Sequence, residues 1–208
     1  MKPLTLSYSS AKTLQSCQQK YHYYKVAGTP NDSDYEESDA LGFGKAFHQV
    51  LEKTNHESYS DALIDEACTE HKVEGTEKPL LTMMLKKYVD YHKKSGLKVV
   101  KCELRIQTST YLGFIDALAT DGNGFWIIDL KTAGRFDETL LSRLSKDMQL
   151  NLYSYFAKDI EIAVPELEGK TFLGCRYRAT IKSKAGTPAG LEKGVKVYDI
   201  EIPGSNGP

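Results

Sequence analysis

The chain has 208 residues, 40% of them hydrophobic and 26% charged, with 27 basic against 28 acidic side chains and a formal net charge of -1. This is the make-up of a globular domain with a sizeable core, and it excludes a polybasic protein held to nucleic acid by bulk charge; any grip on DNA must come from local basic patches or from metal ions set against carboxylates. No apolar run is long enough for a membrane span, Met1 leads into no signal-like stretch, and Cys17, Cys68, Cys102 and Cys175 are dispersed with no CxxC pair, so a reducing, cytoplasmic setting without a structural zinc is expected.

Ser7–Lys20 reads as a first helix, capped by Ser7 or Ser9 and free of Gly and Pro, running into the aromatic cluster Tyr21, Tyr23 and Tyr24. Ala27–Asp39 is a polar loop. Leu41–Thr54 predicts a second helix, because Phe43, Phe47, Val50, Leu51 and Thr54 recur at helical spacing. Ser60–Lys72 and Pro79–Lys94 predict two more, the last stopped by Ser95-Gly96. The texture then changes to short runs rich in β-branched and aromatic residues: Leu97–Thr108, Tyr111–Thr120 and Gly124–Lys131. Asp121-Gly122-Asn123-Gly124 between the last two is a hairpin turn. A helix over Lys146–Ile160 follows, then strands at Thr171–Ser183 and Val195–Ile200, with Ala185–Gly194 between them as a loop. The expectation is one α/β domain over 1–208, a central mixed β-sheet flanked by helices. Residues 1–96 form a mainly helical N-terminal region, 97–203 the sheet core, and 204–208 a disordered tail.

The hairpin carries the chemistry. Side chains alternate along a strand, so Asp129 and Lys131 share a face on one strand, and Phe114 and Asp116 share a face on the other. An even-length turn centred on Gly122-Asn123 sets Asp116 opposite Asp129; centred on Asn123-Gly124 it sets Asp116 opposite Lys131. Two carboxylates facing each other amid Phe, Ile and Leu are costly unless something positive lies between them, and a hard divalent cation is the simplest answer. The competing reading is a strand-end salt bridge of Lys131 with one or both aspartates. On the strand over Thr171–Ser183, Arg176, Arg178, Lys182 and Lys184 fall on even positions and apolar residues on odd ones. That face suits either phosphate contacts or plain solvation.

Gly113-Phe114-Ile115-Asp116, a turn, and Ile128-Asp129-Leu130-Lys131-Thr132 resemble the G-x-x-D and D-x-K-T motifs of the PD-(D/E)xK nuclease superfamily, most closely its RecB-like exonuclease branch. Leu6-Ser7-Tyr8-Ser9 with Cys17 and Tyr21-His22-Tyr23, the segment Gly44–Glu52 around His48, and Gln149–Tyr153 resemble three further motifs of that branch, in its order. The resemblance implies a restriction-endonuclease-like core and metal-assisted hydrolysis of DNA, linear double-stranded or single-stranded. It implies Mg²⁺ or Mn²⁺ held by His48, Asp116, Asp129 and the Leu130 backbone carbonyl, with Lys131 orienting or activating water and stabilising charge on the phosphate. Gln149, Tyr153 and Thr132 would support the site or the DNA, and Glu103 matches a further acidic position. The three clustered C-terminal cysteines of iron–sulfur members are not found, so no cluster is expected. With no GxxxxGK[ST] loop, the chain would stand alone or serve a recombination or helicase partner. A non-catalytic DNA-binding subunit that keeps the fold is the alternative from a different class.

Overall fold

The computed structural model describes residues 6–28, 39–136, 142, 144 and 146–204. The chain divides into two compact units, one of residues 1–38 with 105–114 and the other of 39–104 with 115–208. The expected tail at 204–208 lies outside the described residues except for Gly204.

In the first unit, helix α1 (Tyr8–Ser16) starts where the Ser7 side chain accepts the Ser10 N–H at 3.2 Å. The single helix expected over Ser7–Lys20 is two. Cys17 is extended (φ -160°, ψ 106°) and its sulfur accepts the Lys20 N–H at 3.4 Å, so it ends α1 and caps α2 (Gln18–Tyr21). Helix α2 runs directly into a π-helical turn over His22–Val26. In the same unit Leu6 bridges Tyr111 in parallel. Gly113 must be glycine, since a Cβ there would lie 2.5 Å from the Tyr111 hydroxyl.

The second unit opens with α3 (Asp39–Lys53), α4 (Asp61–Glu70) and α5 (Glu77–Lys94). Phe43, Phe47, Val50 and Leu51 of α3, Ile64 of α4, and Leu81, Met84 and Leu85 of α5 are all buried, as the helical spacing requires. They pack with Ala117, Ala119, Trp126, Ile128 and Leu130 into one apolar core. Helix α3 can pass this close because Gly42 has no side chain: a Cβ there would lie 2.6 Å from the His71 carbonyl oxygen.

The sheet has five strands, β1 (Lys98–Gln107), β2 (Leu112–Thr120), β3 (Gly124–Ala133), β4 (Thr171–Ile181) and β5 (Lys196–Pro203), in that spatial order. Strands β2 and β3 are antiparallel, β3 and β4 parallel, and β4 and β5 antiparallel, so the sheet is mixed as expected. The β2–β3 register runs from Thr120↔Phe125 to Ala117↔Ile128, the phase that brings Asp116 towards Asp129. The turn is built as its sequence requires: the Asp121 carboxylate accepts the N–H groups of Asn123 (2.9 Å) and Gly124 (3.1 Å), and Gly122 takes φ +96°. Strand β3 is buried from Gly124 through Leu130 and becomes accessible at Lys131, where the site begins.

Two further expectations need correction. The helix expected over Lys146–Ile160 is interrupted at Phe156, giving α6 (Met148–Tyr155) and α7 (Ala157–Ala163). The loop expected at Ala185–Gly194 contains a helix, α8 (Pro188–Gly194), whose N-cap Thr187 accepts the Gly190 N–H at 3.2 Å with Pro188 at the first turn. Thr-Pro is itself a helix-start signal, masked here by the neighbouring glycines.

Candidate metal centre

Three donors converge in the second unit: His48 from the middle of α3, Glu103 from β1 and Asp116 from β2. Their ligand atoms all lie within 4.8 Å of one another. His48 Nδ1 is 3.6 Å from Asp116 Oδ1. Glu103 reaches the group from an unusual backbone. It has φ +47°, left-handed and rare for a side chain of this size. Val99 of β1 belongs to the apolar core of the second unit, and Glu103, further along the strand, is the residue of β1 with positive φ. Such strain persists where the surrounding structure holds it, characteristically at functional sites.

Asp116 is also tied to β3. Its Oδ2 accepts the Leu130 N–H at 2.6 Å, past the last paired residues of the β2–β3 ladder. Burial works to raise the Asp116 pKa, but His48, Lys131 and the Leu130 N–H outweigh it and hold the carboxyl below its ordinary range. Burial likewise works to lower that of His48, and Asp116 outweighs it, so the imidazole is raised. Glu103 is raised, by burial and by the Asp116 charge. Two carboxylates and an imidazole nitrogen, one carboxylate penalised by the other, fit a divalent ion that prefers oxygen and tolerates nitrogen.

Asp129 is not in the mutual group of three. It is 2% exposed, and both its oxygens lie 2.8 Å from Lys131 Nζ. Burial pushes its pKa up to about 6, with the Asp116 charge adding and Lys131 opposing. Burial would lower Lys131, but Asp129 and Asp116 overcome it and keep the ammonium charged. The competing strand-end salt bridge therefore exists, yet it sits beside the donor cluster. Sequence reasoning ranked Glu103 below Asp129 as a ligand; the structure puts Glu103 in the tight group.

A groove of about 770 Å³ opens here, lined by His48, Glu103, Leu130, Lys131 and Thr132 together with Lys45, Gln49 and Lys53 of α3. A Cβ at Gly44 would meet Thr132 Oγ1 at 3.5 Å, an ordinary contact, which places this turn of α3 directly against the end of β3. Elsewhere in the unit Gln149 Nε2 donates to the Tyr153 hydroxyl at 2.6 Å, so that pair is linked as its spacing requires. The Lys182 ammonium lies 3.6 Å from the centroid of the Phe43 ring.

Arg176 and Arg178 do not form a phosphate-facing surface. Arg178 is fully buried and donates to Asp199 Oδ2 from Nη2 (2.7 Å) and Nε (3.1 Å). It also lies 3.2 Å from the Tyr88 hydroxyl and 3.0 Å from His92 Nδ1. Arg176 pairs with Asp199 and Glu201 and stacks on Trp126 at 4.5 Å. The register places Arg178 opposite Asp199 and Arg176 opposite Glu201. The sequence signal overlooked was on β5, where Asp199 and Glu201 alternate in step with the arginines.

His56 extends this buried network, with Nδ1 2.7 Å from the Tyr88 hydroxyl. Burial, then His92 and Arg178, lower the His56 pKa to about 3; burial, then Arg178, lower that of His92 to about 4. Below pH 6.5 the unfolded chain binds protons that these folded histidines refuse, so their contribution is complete above 6.5 and lost as pH falls. The raised Asp129, Glu103 and His48 act oppositely, since the folded state binds their protons first. The two strongly lowered histidines outweigh them, and stability is expected to fall by about 1–2 kcal/mol between pH 7 and 5.5. Urea unfolding at the two pH values reads this directly; His56→Gln with His92→Gln should flatten the dependence, and an unchanged slope would rule these histidines out as its source.

A mixed five-stranded sheet flanked by helices, with His, Glu and Asp donors converging beside an Asp–Lys pair at a strand end, defines a metal-site hydrolase architecture of the restriction-endonuclease kind. The sequence profile of the PD-(D/E)XK nuclease superfamily matches residues 5–196, and the chain belongs to that superfamily. No curated protein is matched by the chain. Among the described residues, no helix is long and apolar enough to cross a membrane.

Proposed function

We infer that the protein is a deoxyribonuclease that requires Mg²⁺ or Mn²⁺ and acts as an exonuclease on linear DNA in recombination, repair or phage DNA processing. The observation that carries this reading is the convergence of His48, Glu103 and Asp116 beside the buried Asp129–Lys131 pair. His48, Glu103 and Asp116 would hold the ion, with Asp129 and the Leu130 carbonyl as the remaining ligands the resemblance suggests. When bound, it supplies Lewis-acid polarisation of the phosphate and a more acidic water. The residues of the chain do the rest. Asp129 keeps Lys131 charged and aimed, and the Lys131 ammonium can stabilise a phosphate oxygen or orient the attacking water. Glu103, left-handed in β1, and Asp116, fastened to Leu130, are held by backbone as much as by side chain, which suits a preorganised site.

Incubation with linear and with covalently closed circular DNA, in Mg²⁺, Mn²⁺ or EDTA, tests the proposal. Metal-dependent loss of linear DNA alone supports the exonuclease reading, and cutting of circles replaces it with an endonuclease. Binding without cleavage in either metal would support instead a DNA-binding subunit that has kept the fold.

A further inference from the structure

Lys12, Lys20, Lys25 and Arg105 of the first unit are all exposed.

Among the described residues, the same unit holds four of the seven exposed large apolar side chains: Tyr23 (49%), Tyr24 (39%), Val26 and Phe114. The aromatic run singled out in the sequence is thus split by role. Tyr21 is buried and anchors the segment, while Tyr23 and Tyr24 face solvent. They sit with Lys25 on the π-helical turn His22–Val26, a conformation uncommon outside functional segments. The cations are interleaved with the rings: Lys20 Nζ is 5.9 Å from the Tyr24 ring centroid and Lys12 Nζ 6.0 Å from that of Tyr8. A packing role explains Tyr21, but it does not explain two exposed tyrosines interleaved with exposed lysines. Polyanion chemistry explains the cations, and flat apolar faces explain the rings; unpaired nucleic acid offers both.

We propose that the segment Gln18–Val26 is a binding surface for single-stranded DNA, with Lys20 and Lys25 on phosphates and Tyr23 and Tyr24 stacking on bases. This rests on DNA being the protein's substrate, and it adds which strand state is gripped and by which residues. The test measures binding of a fluorescein-labelled oligothymidylate, and of a duplex of the same length, to the full chain by fluorescence anisotropy in EDTA, so that no cleavage intervenes. Tyr23→Ala with Tyr24→Ala should weaken oligothymidylate binding by about tenfold or more and duplex binding much less, and the Tyr23→Phe, Tyr24→Phe pair should restore it. Lys20→Ala with Lys25→Ala should reduce the slope of log affinity against log salt by about 0.7 for each lysine removed. Circular dichroism melting confirms that the variants fold. Unchanged oligothymidylate binding in the alanine variants, or an equal loss for duplex, overturns the proposal. Failure here is separate from failure of the nuclease reading: the first leaves metal-dependent cleavage by the wild type intact, and the second leaves this binding intact without cleavage.

Discussion

Lys131→Ala is expected to leave the fold in place and to lower metal-dependent DNA hydrolysis about 10²- to 10³-fold, the range seen when one preorganised donor to transition-state charge is removed. The fold should survive because Lys131 lies at the accessible end of β3, 38% exposed, after a run of buried residues that does not depend on it. The rate should not survive, for two reasons. The ammonium lies close enough to the donor cluster to help hold the Asp116 carboxyl down, and it is also what restrains Asp129. Burial already pushes Asp129 up to about 6, and removing the opposing Lys131 charge would raise it further, so a larger fraction is protonated near neutral pH. The loss should therefore be greater at pH 6.5 than at pH 8.5, a trend that simple loss of a phosphate contact would not produce. Lys131→Arg keeps the charge but replaces a point donor by a planar fork, and should recover only part of the rate. Asp116→Asn provides the contrast: it should weaken Mn²⁺ binding itself, measured by calorimetry without DNA at pH 8.5, where Asp129 is ionised in either variant, whereas Lys131→Ala should not. A folded Lys131→Ala protein that cleaves at the wild-type rate would remove Lys131 from the reaction.

Much of this site was legible before any coordinates because its parts obey local rules. The α3 periodicity fixes which face of the helix is buried: Phe43, Phe47, Val50 and Leu51 lie inside, and His48 is left at the edge of the groove. The turn residues Asp121–Gly124 allow two registers, either of which puts Asp116 on the face of Asp129 and Lys131, and the structure adopts the one centred on Gly122-Asn123. What stayed hidden depended on partners distant in sequence. The left-handed backbone of Glu103 has no composition signal, because Cys-Glu-Leu reads as ordinary strand. Cys17 and Phe156 interrupt helices without Gly or Pro. Alternation alone leaves the β4 arginines on an open basic face, for phosphates or for solvent, because it reports that two residues share a side, not which side is covered. Arg178 is covered by α5, through Tyr88 and His92, and neutralised by β5.

That burial has a large consequence of its own. Asp199→Ala is expected to destabilise the protein by about 3–5 kcal/mol, a substantial part of the stability of a domain this size. Asp199 Oδ2 accepts from Arg178 Nε and Nη2, from Arg176 Nη1 at 3.2 Å and from the Tyr91 hydroxyl at 3.2 Å. Removing it leaves a guanidinium with no exposure and no counter-charge, and such a cation cannot lose its proton to escape the cost. Tyr88 and His92 cannot replace the acid, since burial holds the Tyr88 hydroxyl up at about 12 and the imidazole neutral. The cost should thus belong to the stranded charge, not to the shape of the site. Arg178→Met combined with Asp199→Leu removes both charges at similar volume and should be far less destabilising than Asp199→Ala alone, despite altering more atoms. Chemical unfolding of the two variants separates the accounts: if the double variant is the less stable of the two, the pair contributes net attraction beyond mutual neutralisation, and the reasoning from an unpaired buried cation fails.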